Sequence, residues 1–307
     1  MCRQSFSHQS ALMFYVKTYG CYLFAALMFC ALCSCSKKEH VSAVQEKLLA
    51  STALLPNDFR PQLNDTGITW GGDYPQGINK DCSAKLNKEA LAADKAFSGD
   101  ILSQQDCRIG KDAEANEAAF QYQKIYIQGQ PLNIDAPMWQ CVLDKTTGLM
   151  WEIKSPSDDK FASRGLQDAD DVFMWYSGDH KNNGGSVGKW NASFANCTGY
   201  KKGLPATYCN TGEFISRLNQ KNLCGFNDWR LPSLSELNGL IHYGKTMPAI
   251  NTQFFPNTQS QYYWSSTPDA GNTGSAWAVN FQFGSTSSLS RDNPRPIRAV
   301  RSVHATN

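Results

Sequence analysis

Thirteen residues, Gly225-Phe226-Asn227-Asp228-Trp229-Arg230-Leu231-Pro232-Ser233-Leu234-Ser235-Glu236-Leu237, constrain the fold more than any other stretch of the chain. Glycine and asparagine open a turn, Trp229 and Leu231 supply a short buried segment, and Pro232 stops it. Ser233 and Glu236 stand three apart, the spacing of a capping box in which each side chain satisfies a backbone N–H at a helix entrance. Leu234, Leu237, Leu240 and Ile241 then fall on one helical stripe. A strand end, a proline corner and a helix start are thus written into one local run.

The rest of the chain can be parsed around that run. Near the N-terminus, Lys17 precedes an apolar stretch from Cys21 to Cys33 that is short for a membrane span. It ends in Leu32-Cys33-Ser34-Cys35, after which Ser36, Lys37 and Lys38 stop the apolar character at once. This pattern resembles a bacterial lipoprotein signal. We expect residues 1–34 to be a signal peptide, translated from Met1 or Met13, and Cys35 to be lipidated. Acyl chains hold a membrane leaflet at about 0.8 kcal/mol per buried methylene. Ser36 after the lipidated cysteine fits an outer-membrane address in the cell envelope. Residues 35–60 read as a tether, 61–136 as an N-terminal extension and 137–307 as the main domain.

Of 11 cysteines, six lie beyond Cys35: Cys82, Cys107, Cys141, Cys197, Cys209 and Cys224. An even count in an exported chain favours disulfides. No Cys-x-x-Cys pair occurs, which argues against zinc. Six cysteines admit many pairings. The arrangement we expect is Cys82–Cys107 in the extension, Cys197–Cys209 across a Gly-containing loop, and Cys141–Cys224 between the opening strand and the thirteen-residue run.

Strands are expected at Phe120–Gln128, Trp139–Leu143, Leu149–Ile153, Tyr262–Ser266, Ala276–Phe283 and Ile297–Val303. The residues Asp144–Gly148 form the turn of the second hairpin. One helix is expected from Thr211 as N-cap to about Asn222, and a second after Ser233. Residues 155–190 are polar and read as a long surface loop. Two helices, short strands and long loops make an α+β domain.

Chemistry is scarce. No histidine stands at metal-ligand spacing from another, and no nucleophile elbow, phosphate loop or His-Glu-x-x-His helix occurs. We therefore expect no enzyme activity, cofactor or metal. Asp168, Asp170 and Asp171, with Asp179 and Asn183, could offer oxygen ligands to calcium, but their spacing fits no EF-hand and they read as a solvated loop. A net charge of +2 gives no reason to expect nucleic acid. Trp151, Trp229, Trp264 and Trp277 lie in strand-like motifs and read as core. Trp175 and Trp190 flank the polar loop and are the better candidates for stacking on a ligand. Arg291, Arg295, Arg298 and Arg301 crowd the last strand, and arginine forks bind carboxylate, phosphate or sulfate.

The pattern Asp228-Trp229-Arg230-Leu231-Pro232, followed by Glu236 and Leu237, resembles the Lcl C-terminal domain family. Cys141 to Lys154, Cys209-Asn210-Thr211 with Phe214, Phe255-Pro256-Asn257, Tyr263-Trp264-Ser265-Ser266 and Ile297 to Arg301 extend the resemblance in family order. More distantly, the Arg-Leu-Pro helix start and the closing arginines resemble the C-type-lectin-like and formylglycine-generating folds. The family is named for a collagen-like adhesin that binds sulfated polysaccharides as a trimer. This chain has no Gly-X-Y stalk. The resemblance implies a non-catalytic module for polysaccharide or anionic glycan, in adhesion or surface attachment. Its patch would comprise Arg291, Arg295, Lys201 and Lys202, with Trp175 and Trp190. Arg298 and Arg301 read as structural partners of acids such as Asp228 or Glu236. An envelope protein-interaction module and an enzyme of the formylglycine-generating kind are the alternatives.

Overall fold

A computed structural model describes residues 55, 59–73, 77–79, 105–106, 120–190 and 196–303. The expected signal segment 1–34, Cys35, nearly all of the expected tether and the expected Cys82–Cys107 bridge lie outside the described residues. Among those described, no helix is long and apolar enough to cross a membrane.

The extension contributes a small antiparallel pair, β1 (Gly71–Asp73) and β2 (Gly77–Asn79). The central sheet takes β3 (Tyr122–Ile125), β4 (Cys141–Asp144), β5 (Leu149–Glu152) and β9 (Val300–Ser302) in the order 3-4-5-9, all antiparallel. A second sheet is a meander of β6 (Tyr262–Pro268), β7 (Ser275–Asn280) and β8 (Ser285–Ser290). Helix α1 spans Thr211–Gln220 and α2 spans Leu234–Asn238. The fold is α+β, as expected.

The β4–β5 hairpin turns where the sequence places it, and for a local reason. Asp144 Oδ1 accepts the N–H groups of Thr146 (2.9 Å) and Thr147 (3.3 Å), and Gly148 takes a φ of 71° that favours glycine. Both faces of the central sheet are covered. Val142, Trp151 and Val300 sit opposite one another on one face, in a core shared with Leu237, Leu240, Ile250, Phe255 and Phe281. Leu143, Met150 and Arg301 align on the other face. There Cys224 and the thirteen-residue run that follows it form the cover: Cys224 is bonded to Cys141, and Phe226 lies 3.8 Å from the Arg301 guanidinium. This is why β4 is buried throughout rather than alternately.

The capping box forms as read, with Glu236 N–H on Ser233 Oγ and Ser233 N–H on Glu236 Oε2. Helix α2 is short, yet Leu237, Leu240 and Ile241 are all buried, with Leu234 half-buried. Helix α1 is capped by Asn210 rather than Thr211: Asn210 Oδ1 accepts Glu213 N–H at 2.8 Å. The Thr211 hydroxyl is spent instead on Tyr176, accepting its N–H and donating to its carbonyl. Both residues are good caps, so local sequence does not choose between them. Strand β8, Ser-Thr-Ser-Ser-Leu-Ser, was not expected, because serine has little strand preference and the strand lies at a sheet edge. Trp151, Trp229 and Trp264 are core, but Trp277 is only half-buried on β7.

Candidate functional site

The structure divides the expected ligand residues into two groups. Arg291 and Trp175 are each 1 % exposed, so neither offers a surface to a polymer in solvent. The Arg291 guanidinium lies 3.9 Å from the Trp175 ring centre. Its nitrogens donate to the carbonyls of Ser275 (2.9 Å), Asn183 (3.1 Å) and Ser186 (2.5 Å). The Trp175 indole N–H donates to Ser265 O at 2.8 Å. The pair pins the polar loop to the second sheet. The expectation that it faces a ligand is corrected by that burial. Arg295 is half-buried over Tyr262 at 5.9 Å, and its Nε is buried with no partner among the described residues.

The other arginines are structural, with one change of partner. Arg301 forks onto Asp228 (2.6 and 3.1 Å), as expected. Arg298 reaches neither Asp228 nor Glu236. It is buried and donates to Glu152 O and Thr258 Oγ1, both at 2.7 Å. Glu236 instead pairs with Arg230, at 2.6 and 2.8 Å. Burial opposes ionisation of Glu236, but bonds from Arg230 and Ser233 outweigh it and its pKa is lowered. A lowered carboxylate stabilises the fold above its unfolded pKa, near 4.3, and loses that contribution as pH falls through the folded value. Arg230 is 43 % exposed, so screening limits the effect to about 1 kcal/mol. Urea midpoints at pH 6 and pH 3 are expected to differ less in Glu236→Gln than in the parent by that amount. An equal pH response in the two proteins would remove this role.

The acidic loop is not solvated. Asp168 and Asp171 are buried and Asp170 nearly so. Asp168 accepts the N–H groups of Ser163, Arg164 and Asp170. Asp170 accepts from Asp158 N–H, Ser157 Oγ and Gln259 Nε2, and Asp171 from Ala162 and Thr198 N–H. Asn183 is buried under the Arg291 knot, while Asp179 caps Lys181 N–H at the loop tip. These carboxylates fold a long loop by supplying acceptors to backbone that has no strand or helix partner. Among the described residues no group of three His, Cys, Asp or Glu is disposed to hold a metal.

Trp190 is brought against the loop that carries Lys201 and Lys202. The Cys197–Cys209 bridge closes a loop whose base is Tyr208, and Trp190 packs edge-on to that ring at 5.4 Å. Tyr200 lies 6.0 Å from Tyr208 on the same loop. Asn210 Nδ2 donates to Trp190 O at 2.9 Å, tying the tryptophan to the start of α1. Lys201 and Lys202 are exposed, and Thr207 Oγ1 accepts Lys201 N–H at 2.9 Å. Trp190 keeps 41 % of its surface in solvent. The result is an aromatic step packed on a disulfide-braced loop that also carries two exposed lysines. Tyr200 and Tyr208 were missed in the sequence, where only tryptophans were weighed as platforms. The clustering of tyrosines and lysines between two cysteines was the available signal. All four described cysteines are paired, as expected.

No curated protein and no solved structure matches the chain. A family model, that of the Lcl C-terminal domain, matches residues 140–301, more than half of the chain, from β4 into β9. The Asp228–Pro232 corner, the Ser233–Glu236 box and the closing Arg301 fork all lie inside that span, and the chain belongs to the Lcl C-terminal domain family.

Proposed function

We propose that this is a lipid-anchored protein of the bacterial cell envelope, held at the outer membrane through Cys35, whose main domain is a non-catalytic binding module for polysaccharide, including anionic glycans. The single observation carrying this reading is the half-exposed Trp190 indole, set against Tyr208 on the loop that carries Lys201 and Lys202. Indole and phenol rings offer flat apolar faces to sugar rings, and the lysines offer charge to sulfate or carboxylate groups. The short strands, two helices and long loops support a C-type-lectin-like or formylglycine-generating-type topology. A protein partner is the second reading. It is favoured by Tyr126, Ile127, Ile134 and Met138, which stand 43–72 % exposed in the β3–β4 connection.

The test is binding of the full chain in detergent micelles to sulfated and neutral polysaccharides across a salt series. Trp190→Ala and the double change Lys201→Glu with Lys202→Glu are each expected to weaken binding of the sulfated members at least tenfold, about 1.4 kcal/mol. The charge reversal should also flatten the salt dependence. Saturable binding that neither variant alters would reject this patch.

A further inference from the structure

A cleft of about 610 Å³ opens where residues 61–66 of the extension lie across the β4–β5 turn and the end of α2. Gln62 N–H donates to Thr146 O at 2.9 Å and Tyr243 N–H to Thr66 O at 2.8 Å. Asn64 Nδ2 donates to Asp144 Oδ2 at 2.5 Å and to Gly239 O at 3.1 Å. The extension therefore forms one wall of the cleft, and the family domain forms the other. Leu149, Trp151, Ile241 and Tyr243 give it an apolar lining, with Asn238 and Ser302 among the polar groups. Its volume falls within the range of small-molecule sites, roughly 300–1,000 Å³.

Two features of the lining restrict the occupant. The first is unspent hydrogen-bonding capacity. Trp151 is 1 % exposed, and its indole N–H has no partner among the described residues. Asn64 uses its amide N–H groups on Asp144 and Gly239, and its Oδ1 is buried with nothing donating to it among those residues. Each such group costs roughly 1–3 kcal/mol when left unpaired, so natural proteins leave few of them. A hydroxyl both donates and accepts, and can satisfy either kind. The second feature is charge. Asp65, Asp144 and Glu236 line the cleft, and among the described residues no lysine or arginine does. Glu236 is already paired with Arg230, yet carboxylates outnumber cations in the lining, so a sulfated or carboxylated ligand is disfavoured there.

We propose that this cleft is a second ligand site, separate from the Trp190 patch, and that it takes an uncharged, hydroxyl-rich ring: a neutral sugar unit. The apolar lining covers the ring's C–H face, while Trp151 N–H and Asn64 Oδ1 bond its hydroxyls. The site is bipartite, because Asn64 belongs to the extension and Trp151 to the domain. It does not depend on the anionic-glycan reading.

The full chain labelled with fluorotryptophan, in detergent micelles, is titrated with glucose, N-acetylglucosamine and the disaccharide of each, and followed by fluorine NMR. The Trp151 resonance is assigned by its loss in Trp151→Phe. It is expected to shift saturably at millimolar sugar. Trp151→Phe removes the donor together with part of the ring, and the cavity left in the core should lower its urea midpoint. Under conditions where it remains folded it should bind at least tenfold more weakly by calorimetry. Asn238→Ala, at the half-exposed rim, gives a second variant that leaves the core intact and should also weaken binding. Trp190→Ala should leave the Trp151 shift untouched, which separates failure of this site from failure of the patch. A Trp151 resonance that no probe moves, a shift confined to Trp190, or full affinity in both Trp151→Phe and Asn238→Ala overturns the proposal.

Discussion

Replacing Cys141 and Cys224 together by serine is expected to lower the unfolding free energy by about 4 kcal/mol. The bridge spans 83 residues, and in the chain-entropy account a loop of that length restrains the unfolded chain by somewhat more than 4 kcal/mol. Cys197–Cys209 closes only 12 residues and should contribute about 1.7 kcal/mol less. The longer bridge also has a local task. Cys224 sits at a φ of 53°, a conformation uncommon for a residue with a side chain, inside the turn that lays Phe226 and Asp228 over Arg301. Domains are typically stable by about 5–15 kcal/mol, so a loss of this size leaves little margin. Urea unfolding of the double variant measures it; a change under about 1 kcal/mol would show that packing alone holds the run on the sheet.

Arg291→Met is expected to cost about 3 kcal/mol, and Arg291→Lys nearly as much. The guanidinium serves three carbonyls from two segments at once, and an ammonium on a flexible stem cannot reproduce that fork. Among the described residues no carboxylate is bonded to it, so the loss comes from stranded acceptors and from the empty space against Trp175. The affected segment is the loop 177–188, which should become more open to proteolysis. Binding of sulfated polysaccharide at temperatures where the variants remain folded should be unchanged. A stable Arg291→Lys protein with weakened polysaccharide binding would return Arg291 to the ligand surface.

That contrast shows what could be read from the chain. The Ser233–Glu236 box, the β4–β5 turn and the Cys141–Cys224 and Cys197–Cys209 bridges were legible because spacing, turn chemistry and cysteine parity act locally or leave few sensible partners. The Arg301–Asp228 pair was legible too, but the role of Arg291 and the partners of Arg298 were not. Arg291 finds backbone carbonyls and an indole rather than a carboxylate, and no sequence pattern marks a carbonyl as available. Asp168 and its neighbours read as solvated for the same reason: their partners are N–H groups of an irregular loop. Of the proposed patch, Trp190 and the two lysines were visible, whereas the tyrosines that support the tryptophan depend on how one loop folds back. The cleft was invisible, since it needs residues 61–66 to lie against a hairpin more than 70 positions later, where Asn64 meets Asp144 at a separation of 80.

The central sheet is closed by its latest residues. Val300 exchanges both backbone hydrogen bonds with Arg230 at 2.9 Å, β9 pairs with β5, and Val303 N–H reaches back to Gly148 O. A chain made from its N-terminus therefore carries β5 with an open edge through the roughly 150 residues that separate it from β9, and Asp228 without Arg301 through about the last 70 of them. Such an edge can pair with any passing strand. Folding of this domain is timed by the arrival of its tail: until residues 297–303 emerge, the earlier strands must be kept apart from other chains rather than left to find their own partners.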